Sequence, residues 1–537
     1  MSVEGFKKFF EQATGNQPYE WQVDVAKQIL EMDRGILSVT AETGSGKTEA
    51  VVIPSLYRGR QVIVVEPYRA LIEDMVDRFT SMLSRLSKHV DAPYTLGVDY
   101  GGEHFVEECM DGSYREVKTR KPFGTDILLT TMDEMLYRLL SVGPERKASL
   151  YSVLVRLGTP IVFFDEAHSY STEAANPLVT LVNEAVSMAL YTPVVIASAT
   201  LPSSFKEHLK LLVERNGLPF KEYEAPKRER KTGKAIVHVK IEEKGADAMA
   251  SHTLRLAEKG FKTILVRTIV PETAYSVYSR LVERLKGKYS VGILHGRMPI
   301  KDRAKVFRAL KQDVENGENV VFVSTTVIEA GVNLDFDAGV LELTPYRSLE
   351  QTLGRVNRYY MKPNTEVVLV GTDENTWTLL APKSYLEELQ TRLAKFSKGS
   401  GKEQWELLRA TVLQSLDEKY TKNLLSTKSL IDIYDTPYSR LLTVSFYSLF
   451  HLEGTMLEYL VALSKSEYET RGSLDIVVNV EGEPGNLIRV PRSIVEKLRE
   501  KGVEIEDGGT LKPSILIPHN YVTRSGEPVE ARGLIIS

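Results

Sequence analysis

The sequence predicts an α/β protein with two tandem domains, each built on a parallel sheet, followed by a C-terminal domain of mixed helices and strands. Three observations lead to this prediction. Short apolar runs alternate with helix-like stretches through about the first 230 residues, the alternation restarts after a charged segment at 222–234, and the pattern changes near residue 376. Continuous apolar runs are typical of strands covered on both faces, and strands that alternate with helices form parallel sheets.

The predicted first domain spans residues 1–228. Each of its strands is a short, apolar run of largely β-branched or aromatic residues, and the stretches between the runs are long enough for crossover helices. The segment 87–125 is loop-rich and has no periodicity that assigns it. The predicted strands are Gly35–Val39, Gln61–Val65, Asp126–Leu129, Pro160–Phe164 and Thr192–Ile196.

The predicted second domain spans residues 229–375 and follows the polar segment Glu222–Lys234, whose charge, Pro and Gly content predict a linker. The predicted third domain, 376–537, is helical over 384–432 with a break at 399–402, and it turns to short strands beyond residue 473. The strands predicted for the second domain are Ala235–Lys240, Thr263–Val266, Val291–Leu294, Val320–Ser324, Val340–Leu343 and Glu366–Val370.

Composition and charge exclude several classes of protein. The 537 residues are 42% hydrophobic and 26% charged with a net charge of −4, which excludes a disordered, fibrous or uniformly basic chain but not a local basic cleft. The single cysteine, Cys109, excludes an intramolecular disulfide and a four-cysteine zinc site. No apolar run suits a signal peptide or the roughly 18 residues of a spanning helix. We therefore expect a cytoplasmic protein with no membrane partner.

A phosphate-binding loop is predicted directly after the first strand, where residues 41–48 read Ala-Glu-Thr-Gly-Ser-Gly-Lys-Thr. Its glycines allow a tight turn whose amides face one anion, and the following helix adds its N-terminus. Lys47 is expected to reach the β- and γ-phosphates of ATP, and Thr48 to bind Mg²⁺ through its hydroxyl. Ala41 replaces the first glycine of the general pattern, which indicates a subtype. The predicted nucleotide-binding residues of the loop are Thr43, Gly44, Ser45, Gly46, Lys47 and Thr48.

Two acidic residues end the fourth predicted strand, where residues 165–168 read Asp-Glu-Ala-His. Carboxylates at this position lie at the carboxyl edge of the sheet, where α/β proteins bind ligands. Asp165 is expected to hold Mg²⁺, mainly through water, and Glu166 to orient and deprotonate the attacking water.

These two motifs together resemble the superfamily 2 helicases and translocases, which implies that the two parallel-sheet domains are RecA-like. Ser198 and Thr200, in a Ser-Ala-Thr triplet after another strand, match the motif that couples the ATP site to the nucleic-acid site in that family. Upstream of the phosphate loop, the resemblance implies that Gln22 recognises the adenine edge and that Tyr19 stacks on the ring.

The second domain carries a candidate arginine finger in the run 351–358, Gln-Thr-Leu-Gly-Arg-Val-Asn-Arg. Gln351, Arg355 and Arg358 are spaced at i, i+4 and i+7, so a helix would place them on one face. Two guanidinium groups on one face suit a polyphosphate. Thr352 stands where the family often has arginine, which puts a contact from that position in doubt.

The string 324–337, with Gly331 and Asp335 near its end, is the most specific of the second-domain motifs. It resembles the fifth motif of the CRISPR-associated interference helicase, the DNA-translocating half of a type I nuclease-helicase. The resemblance to this family covers roughly residues 19–372. Gly331 is predicted to fit close to a phosphate backbone and Asp335 to sense nucleotide. Asn333 departs from the family's common Asp, and we assign it no role.

Nucleic-acid contacts are predicted at strand ends, from hydroxyls, single arginines and a proline turn that suit phosphate tracking rather than base reading. Single-stranded DNA is the expected partner, with movement from 3′ to 5′ by resemblance. The predicted contact residues are Pro67, Arg69, Thr130 and Thr131 in the first domain and Arg267 and Thr325 in the second.

Full-length members of this family carry an HD nuclease domain that binds metal through clustered His and Asp. None of the nine His residues in this chain is directly followed by Asp. We therefore expect a helicase that acts with a separate HD-type nuclease subunit and with an RNA-guided surveillance complex, in which base pairing supplies specificity.

Three other functions fit parts of the sequence. A DEAH-type RNA helicase or DNA repair helicase shares the ATP site and differs in strand preference. An ATP-gated clamp or scaffold holds DNA and recruits a nuclease without unwinding it. The motor subunit of a restriction enzyme is a third alternative.

Overall fold

A computed structural model of the chain forms two compact units, which are described separately. The described residues up to 226, together with 418–427, belong to the first unit, and residues 232–417 and 476–535 belong to the second. The structure describes residues 3–42, 44–67, 69–100, 103–118, 122–132, 134–135, 160–167, 185–186, 188–189, 192–199, 201–226, 232–329, 334–378, 380–381, 383–397, 403–427, 476–490, 492–503, 505 and 509–535.

The first unit is built on a nine-stranded sheet in the order β5-β4-β3-β6-β2-β7-β8-β1-β9. Its helices are α1 (Val3–Thr14), α2 (Glu20–Glu31), α3 (Lys47–Tyr57), α4 (Arg69–Leu86) and α5 (Ser203–Arg215). Its strands are β1 (Gly35–Thr40), β2 (Val62–Glu66), β3 (Tyr94–Tyr100), β4 (Glu103–Met110), β5 (Ser113–Glu116), β6 (Ile127–Thr131), β7 (Ile161–Phe164), β8 (Pro193–Ser198) and β9 (Phe220–Glu224).

The centre of this sheet confirms the predicted parallel α/β fold. Strands β6, β2, β7, β8 and β1 are neighbours, all pair in parallel, and correspond to the five predicted strands. Alternate residues of each strand enter two separate apolar cores, one on each face, which is why these runs are apolar without alternation. Helices α1 to α4 contribute to one core and α5 to the other.

Both edges of the sheet contain strands that the sequence did not indicate. The unassigned segment 87–125 holds β3 to β5, which form an antiparallel meander, and β5 is exposed along its whole length. Strand β9 occupies the start of the predicted linker, pairing in parallel with β1. Edge strands with charged residues lack the apolar runs by which the central strands were found.

The second unit contains another nine-stranded sheet, in the order β16-β10-β15-β14-β11-β13-β12-β21-β22. Its helices are α6 (Gly245–Glu258), α7 (Pro271–Arg284), α8 (Ile300–Glu315), α9 (Tyr346–Leu353), α10 (Glu374–Trp377), α11 (Lys383–Ser397), α12 (Trp405–Leu408), α13 (Gln414–Thr427) and α14 (Arg492–Glu500). Its strands are β10 (Ile236–Lys244), β11 (Thr263–Arg267), β12 (Ser290–Leu294), β13 (Val320–Ser324), β14 (Ala338–Glu342), β15 (Glu366–Gly371), β16 (Glu403–Gln404), β17 (Ile476–Val480), β18 (Glu483–Val490), β19 (Thr510–Leu511), β20 (Ile517–Pro518), β21 (Tyr521–Val522), β22 (Pro528–Val529) and β23 (Arg532–Gly533).

Strands β10 to β15 pair in parallel and correspond to the six strands predicted for the second domain. The RecA-like expectation therefore describes both large sheets. Helix α13 is divided between the units, since its residues 418–427 belong to the first unit. A π-helical turn, Arg409–Leu413, joins α12 to α13.

The described residues of the predicted third domain, 376–537, are divided between the two units, and the boundaries of that domain stay a prediction. Residues 418–427 belong to the first unit, whereas the remaining described ones belong to the second. Strands β17 to β19 form a small sheet that shares an apolar core with α14. Strand β21 pairs with β12 and extends the large sheet, and the Tyr521 ring lies so close to Gly292 that no Cβ would fit there. Strands β21 and β22 thus complete this edge of the large sheet.

None of the helices described here is long and apolar enough to cross a membrane.

Candidate nucleotide-binding site

The loop between β1 and α3 has the conformation that its glycines predict. Gly44 and Gly46 have φ angles of 70° and 90°, in the left-handed region that glycine tolerates best. A Cβ on Gly46 would lie 2.5 Å from Nε2 of Gln22, so a side chain there would displace the Gln22 amide as well as strain the backbone. The Ser45 hydroxyl is buried and has no hydrogen-bond partner among the described residues. Thr43 lies outside the described residues.

Gln22 connects helix α2 to this loop. Its Oε1 accepts a hydrogen bond from the backbone N–H of Tyr19 at 2.9 Å, and its Nε2 donates to the carbonyl of Gly46 at 2.9 Å. The Tyr19 side chain is 61% exposed, which leaves its ring accessible for stacking. The structure therefore brings Gln22 to the phosphate loop and bonds it to the backbone of Tyr19, and the contacts of both residues with adenine stay a prediction.

Four polar side chains meet where α3 begins and β7 ends. The Thr48 hydroxyl donates a 2.7 Å hydrogen bond to Asp165, and the Lys47 ammonium lies 3.7 Å from a carboxylate oxygen of Glu166. The backbone N–H of Glu166 donates to Asp165 at 2.8 Å, and Glu166 has a φ angle of 46°. A left-handed non-glycine residue stores backbone strain, which is common where a side chain must be aimed at a ligand.

The electrostatics of this cluster suit a cation and a polyanion. Burial, reinforced by the Glu166 charge, raises the pKa of Asp165 to about 6, whereas Lys47 opposes the increase. Hydroxyl and carboxylate oxygens are the ligands that Mg²⁺ prefers, so the Thr48 and Asp165 oxygens fit this ion. Lys47 is buried and positively charged, as contact with phosphate oxygens requires.

The predicted contact residues of the first unit lie at the carboxyl edge of the sheet. Pro67 is half-buried directly after β2, and Thr130 and Thr131 end β6 with buried side chains. Arg69 begins α4, but its side chain is not among those described. Ser198 is buried at the end of β8, in register with Thr40 of β1. Thr200 and His168 lie outside the described residues.

Arg267 does not have the environment predicted for a phosphate contact. Its guanidinium is fully buried at the end of β11 and donates to the Thr352 hydroxyl at 3.0 Å, to the Glu342 carbonyl at 3.1 Å and to the Thr344 hydroxyl at 2.5 Å. These donors face the interior of the second unit, so we correct the prediction and assign Arg267 a structural role. Thr325 is also buried, after β13.

The predicted helix face of Gln351, Arg355 and Arg358 is wrong. Helix α9 ends at Leu353, so only Gln351 is helical, and the arginines lie in the turns that follow. The chain leaves the helix because the backbone of residues 355–357 bonds instead to Phe336: the Arg355 carbonyl accepts from the Phe336 N–H at 2.8 Å.

Arg358 is held through its backbone. Its N–H donates to Asp335 at 2.7 Å, and Lys362 forms ion pairs with Asp335 and Asp337 at 3.2 and 2.7 Å. Asp335 therefore orients the arginine turn of its own unit. Gly331 lies outside the described residues.

Asn357 is a buried residue of the arginine turn whose importance sequence reasoning missed. It is fully buried with a φ angle of 44°, and its side-chain oxygen accepts from the N–H groups of Met361 and Lys362 at 2.9 and 3.0 Å. Its amide nitrogen donates to the carbonyls of Lys234 and Lys362 at 3.0 Å each. The residue type was the indication in the sequence, because asparagine adopts a left-handed backbone conformation more readily than most residues.

Glu66 is a functional candidate that was also missed, and it ends β2 beside the phosphate site. Its carboxyl group is fully buried, and neither oxygen has a hydrogen-bond partner among the described residues. The sequence does contain an indication of this position, since Glu66 ends one apolar strand just as Asp165 directly follows another.

Two family profiles match the chain. The DEAD/DEAH box helicase profile matches residues 19–208, which include the phosphate loop, Asp165 and Glu166. The profile for the C-terminal part of CRISPR-associated nuclease/helicase Cas3 matches residues 259–361, which include Asp335 and the arginine turn.

Curated relatives agree with these profiles. The chain is 25% identical over 530 residues to the CRISPR-associated helicase Cas3 of Thermoproteus tenax, covering 94% of this chain and 80% of that protein. It is 23% identical over 359 residues to a putative CRISPR-associated nuclease/helicase Cas3 of Methanocaldococcus jannaschii, covering 64% of this chain and 46% of that protein. The chain thus spans about half the length of the latter relative.

The fold is also found in solved structures. The T. fusca Cas3-AMPPNP crystal structure matches with a TM-score of 0.63 and 16% identity, covering 97% of this chain and 71% of that one. The T. fusca Cas3-ADP structure matches with a TM-score of 0.58 and 18% identity, covering 88% and 60%. The chain thus combines a region that matches the DEAD/DEAH box helicase profile with one that matches the profile for the C-terminal part of Cas3, and these matches support a helicase of the CRISPR Cas3 type.

Proposed function

We propose that this chain is an ATP-dependent single-stranded DNA translocase and helicase that unwinds target DNA in CRISPR type I interference. The observation that carries the proposal is the cluster of Lys47, Thr48, Asp165 and Glu166 around a glycine loop, inside a DEAD/DEAH box helicase domain. The Cas3-like profile over residues 259–361 supports the assignment to interference.

The first unit supplies the groups for ATP hydrolysis. The amides of the glycine loop and the Lys47 ammonium bind the phosphate oxygens, and Thr48 and Asp165 would hold Mg²⁺, which neutralises phosphate charge when bound. Glu166 accepts a proton from the attacking water as its oxygen bonds to the γ-phosphorus and the bond to the ADP oxygen breaks.

The remaining catalytic groups are proposed to come from the second unit. We assign Arg355 and Arg358 to stabilisation of the charge that develops in the transition state, and Gln351 to the attacking water. Arginine fingers accelerate hydrolysis by about 10³–10⁵ in GTPases. The support is the turn that contains Arg358, whose backbone N–H donates a 2.7 Å hydrogen bond to Asp335.

DNA is proposed to contact Pro67, Arg69, Thr130 and Thr131 in the first unit and Thr325 in the second. These groups bind phosphates and carry no base-reading pattern, as a sequence-indifferent motor needs. By resemblance, movement runs from 3′ to 5′. Ser198 and Thr200 are proposed to couple the two sites.

Target choice and DNA cleavage are proposed to come from partners, namely an RNA-guided surveillance complex and a separate HD-type nuclease subunit. The purified chain is then expected to leave single-stranded DNA uncut with Mg²⁺, Mn²⁺ or Ni²⁺. Metal-dependent cutting by the purified chain would overturn the assignment of cleavage to a second subunit.

The central experiment measures ATP hydrolysis with no nucleic acid, with single-stranded DNA and with single-stranded RNA, using Lys47→Ala as the inactive control. We expect DNA to stimulate hydrolysis and RNA not to. Equal or greater stimulation by RNA would favour an RNA helicase. A forked DNA duplex then separates a motor, which unwinds it, from a clamp that only binds it.

A further inference from the structure

Glu66 is a buried carboxyl group without a visible partner. It ends β2 with none of its surface exposed, and neither side-chain oxygen is hydrogen-bonded within the described part of the chain. Most buried polar side chains have a hydrogen-bond partner, and burial of a charged group without one is costly. This exception therefore needs an explanation.

The strand register places Glu66 beside the proposed cation site. Val65 of β2 is opposite Phe164 of β7, so Glu66 is level with Asp165, and on its other side it pairs with Thr131 of β6. Side chains alternate along a strand, and Val64 and Phe163, two residues earlier, both face the core beneath α3. Glu66 and Asp165 consequently share that face of the sheet, where α3 presents Thr48.

Among the described residues, no cation forms an ion pair with Glu66. Arg78 of α4 acts on its charge but forms a 2.7 Å ion pair with Glu49 of α3. Burial, together with the charges of Asp165 and Glu166, raises the pKa of Glu66 well above its usual value, although Arg78 and Lys47 act in the opposite direction. Within the described part of the chain, the charged form of Glu66 thus lacks a directly paired counter-charge.

A hydrated cation beside Asp165 would supply both missing elements, positive charge and hydrogen-bond donors. Magnesium keeps several water molecules when proteins bind it, and carboxylates next to its direct ligands commonly accept hydrogen bonds from those waters. We propose that Glu66 is a positioning residue of the cation site, whose carboxylate accepts hydrogen bonds from water molecules on the Mg²⁺ held by Thr48 and Asp165. This inference rests on the proposed ATP-hydrolysing function.

The test measures cation affinity directly. Mn²⁺ is titrated into the full chain saturated with a non-hydrolysable ATP analogue, and free Mn²⁺ is followed by electron paramagnetic resonance. Glu66→Gln keeps the shape of the side chain and removes its charge. We expect it to weaken Mn²⁺ binding by about 10–100-fold, the usual effect of losing such a partner, and to leave affinity for the analogue in EDTA unchanged.

Glu342→Gln is the matched control. Glu342 also ends a buried strand of a large sheet, but its two oxygens accept hydrogen bonds from Ile269 N–H and the Thr372 hydroxyl, both at 2.8 Å. This variant should bind Mn²⁺ as the wild type does. Glu66→Ala, measured in parallel with its melting temperature, should show the same loss of Mn²⁺ affinity as Glu66→Gln.

Two results would overturn the assignment. Unchanged Mn²⁺ affinity in Glu66→Gln, especially with a higher melting temperature, would mean that Glu66 is a neutral buried acid. Equal losses of analogue affinity with and without metal would mean that it only supports the fold. Failure of the proposed function is distinguishable, since the wild type itself would then bind neither the analogue nor Mn²⁺.

Discussion

Acidification is expected to destabilise the second unit through a pair of buried histidines. His519 and His295 are both fully buried, with ring centroids 4.8 Å apart, and His519 also stacks on Tyr275 at 5.0 Å. His519 Nδ1 lies 2.9 Å from the Ile517 carbonyl, which can only accept, so the proton is on this nitrogen. Neither Nε2 has a hydrogen-bond partner within the described residues.

The direction of the effect follows from the pKa values. Burial lowers the pKa of His519 to about 4, and burial, then His519 and nearby Arg297 and Arg303, lowers the pKa of His295 well below its usual value. A histidine with a lowered pKa in the folded state binds fewer protons there than when unfolded. Its contribution to stability is present above the unfolded pKa of about 6.5 and is lost as the pH falls towards the folded value.

The magnitude can be worked out for His519 alone. With a pKa of about 4 when folded and about 6.5 when unfolded, the free energy of unfolding falls by about 2 kcal/mol between pH 7.5 and pH 5. His295 adds to the loss. Carboxylates also titrate near pH 5, so the informative quantity is the difference between the wild type and a variant without this imidazole.

The assay is amide hydrogen exchange at both pH values, followed in peptides that cover β12 and residues 517–533, because it reports local opening free energies in a two-unit chain. His519→Gln keeps an N–H donor for the Ile517 carbonyl and cannot be protonated. It should lose about 2 kcal/mol less protection than the wild type on acidification. His208→Gln, on the surface helix α5, should behave as the wild type does. Equal losses in wild type and His519→Gln would refute the reasoning.

Three further predictions test the second unit. Arg358→Ala should bind the ATP analogue normally but hydrolyse ATP at least about 10³-fold more slowly, since a finger acts in the transition state; normal turnover would refute that role. Arg267→Gln should lower the free energy of unfolding by about 2–4 kcal/mol in urea titrations, because it strands buried partners, while DNA affinity of the folded protein stays constant. Weaker DNA binding at unchanged stability would restore Arg267 as a contact. Tyr521→Ala should cost about 3–5 kcal/mol through the cavity against Gly292 and the loss of its 2.8 Å hydrogen bond to Asp313, and a loss below about 1 kcal/mol would contradict this packing.

The central sheets and the phosphate site were accessible from the sequence because each is encoded locally. A buried parallel strand is a continuous apolar run, and the glycine loop holds most of its chemistry within residues 41–48. Asp165 is distant in sequence from Thr48, but parallel strands bring their ends to one edge, so the 2.7 Å contact between them was predictable in outline.

The remaining features depend on partners that are distant in sequence. Arg267 precedes the hydroxyls of Thr344 and Thr352 by many residues, so nothing near it distinguishes an interior arginine from a surface one. Likewise, Arg355 has helical spacing from Gln351, yet the backbone of Phe336 draws it out of the helix. The missed edge strands β5 and β9 are polar and owe their formation to pairing with neighbours.

The pairing of β21 with β12 has a consequence for synthesis. Residues 521–522 pair in a sheet whose strand β10 begins at residue 236, so the two are far apart in the order of synthesis. Until residues 521–522 have left the ribosome, β12 presents an unpaired edge and an uncovered Gly292, the kind of surface that invites pairing with another nascent chain. This edge of the second unit is therefore covered only when this late segment is made, and a nascent chain that stops before it carries an exposed edge strand.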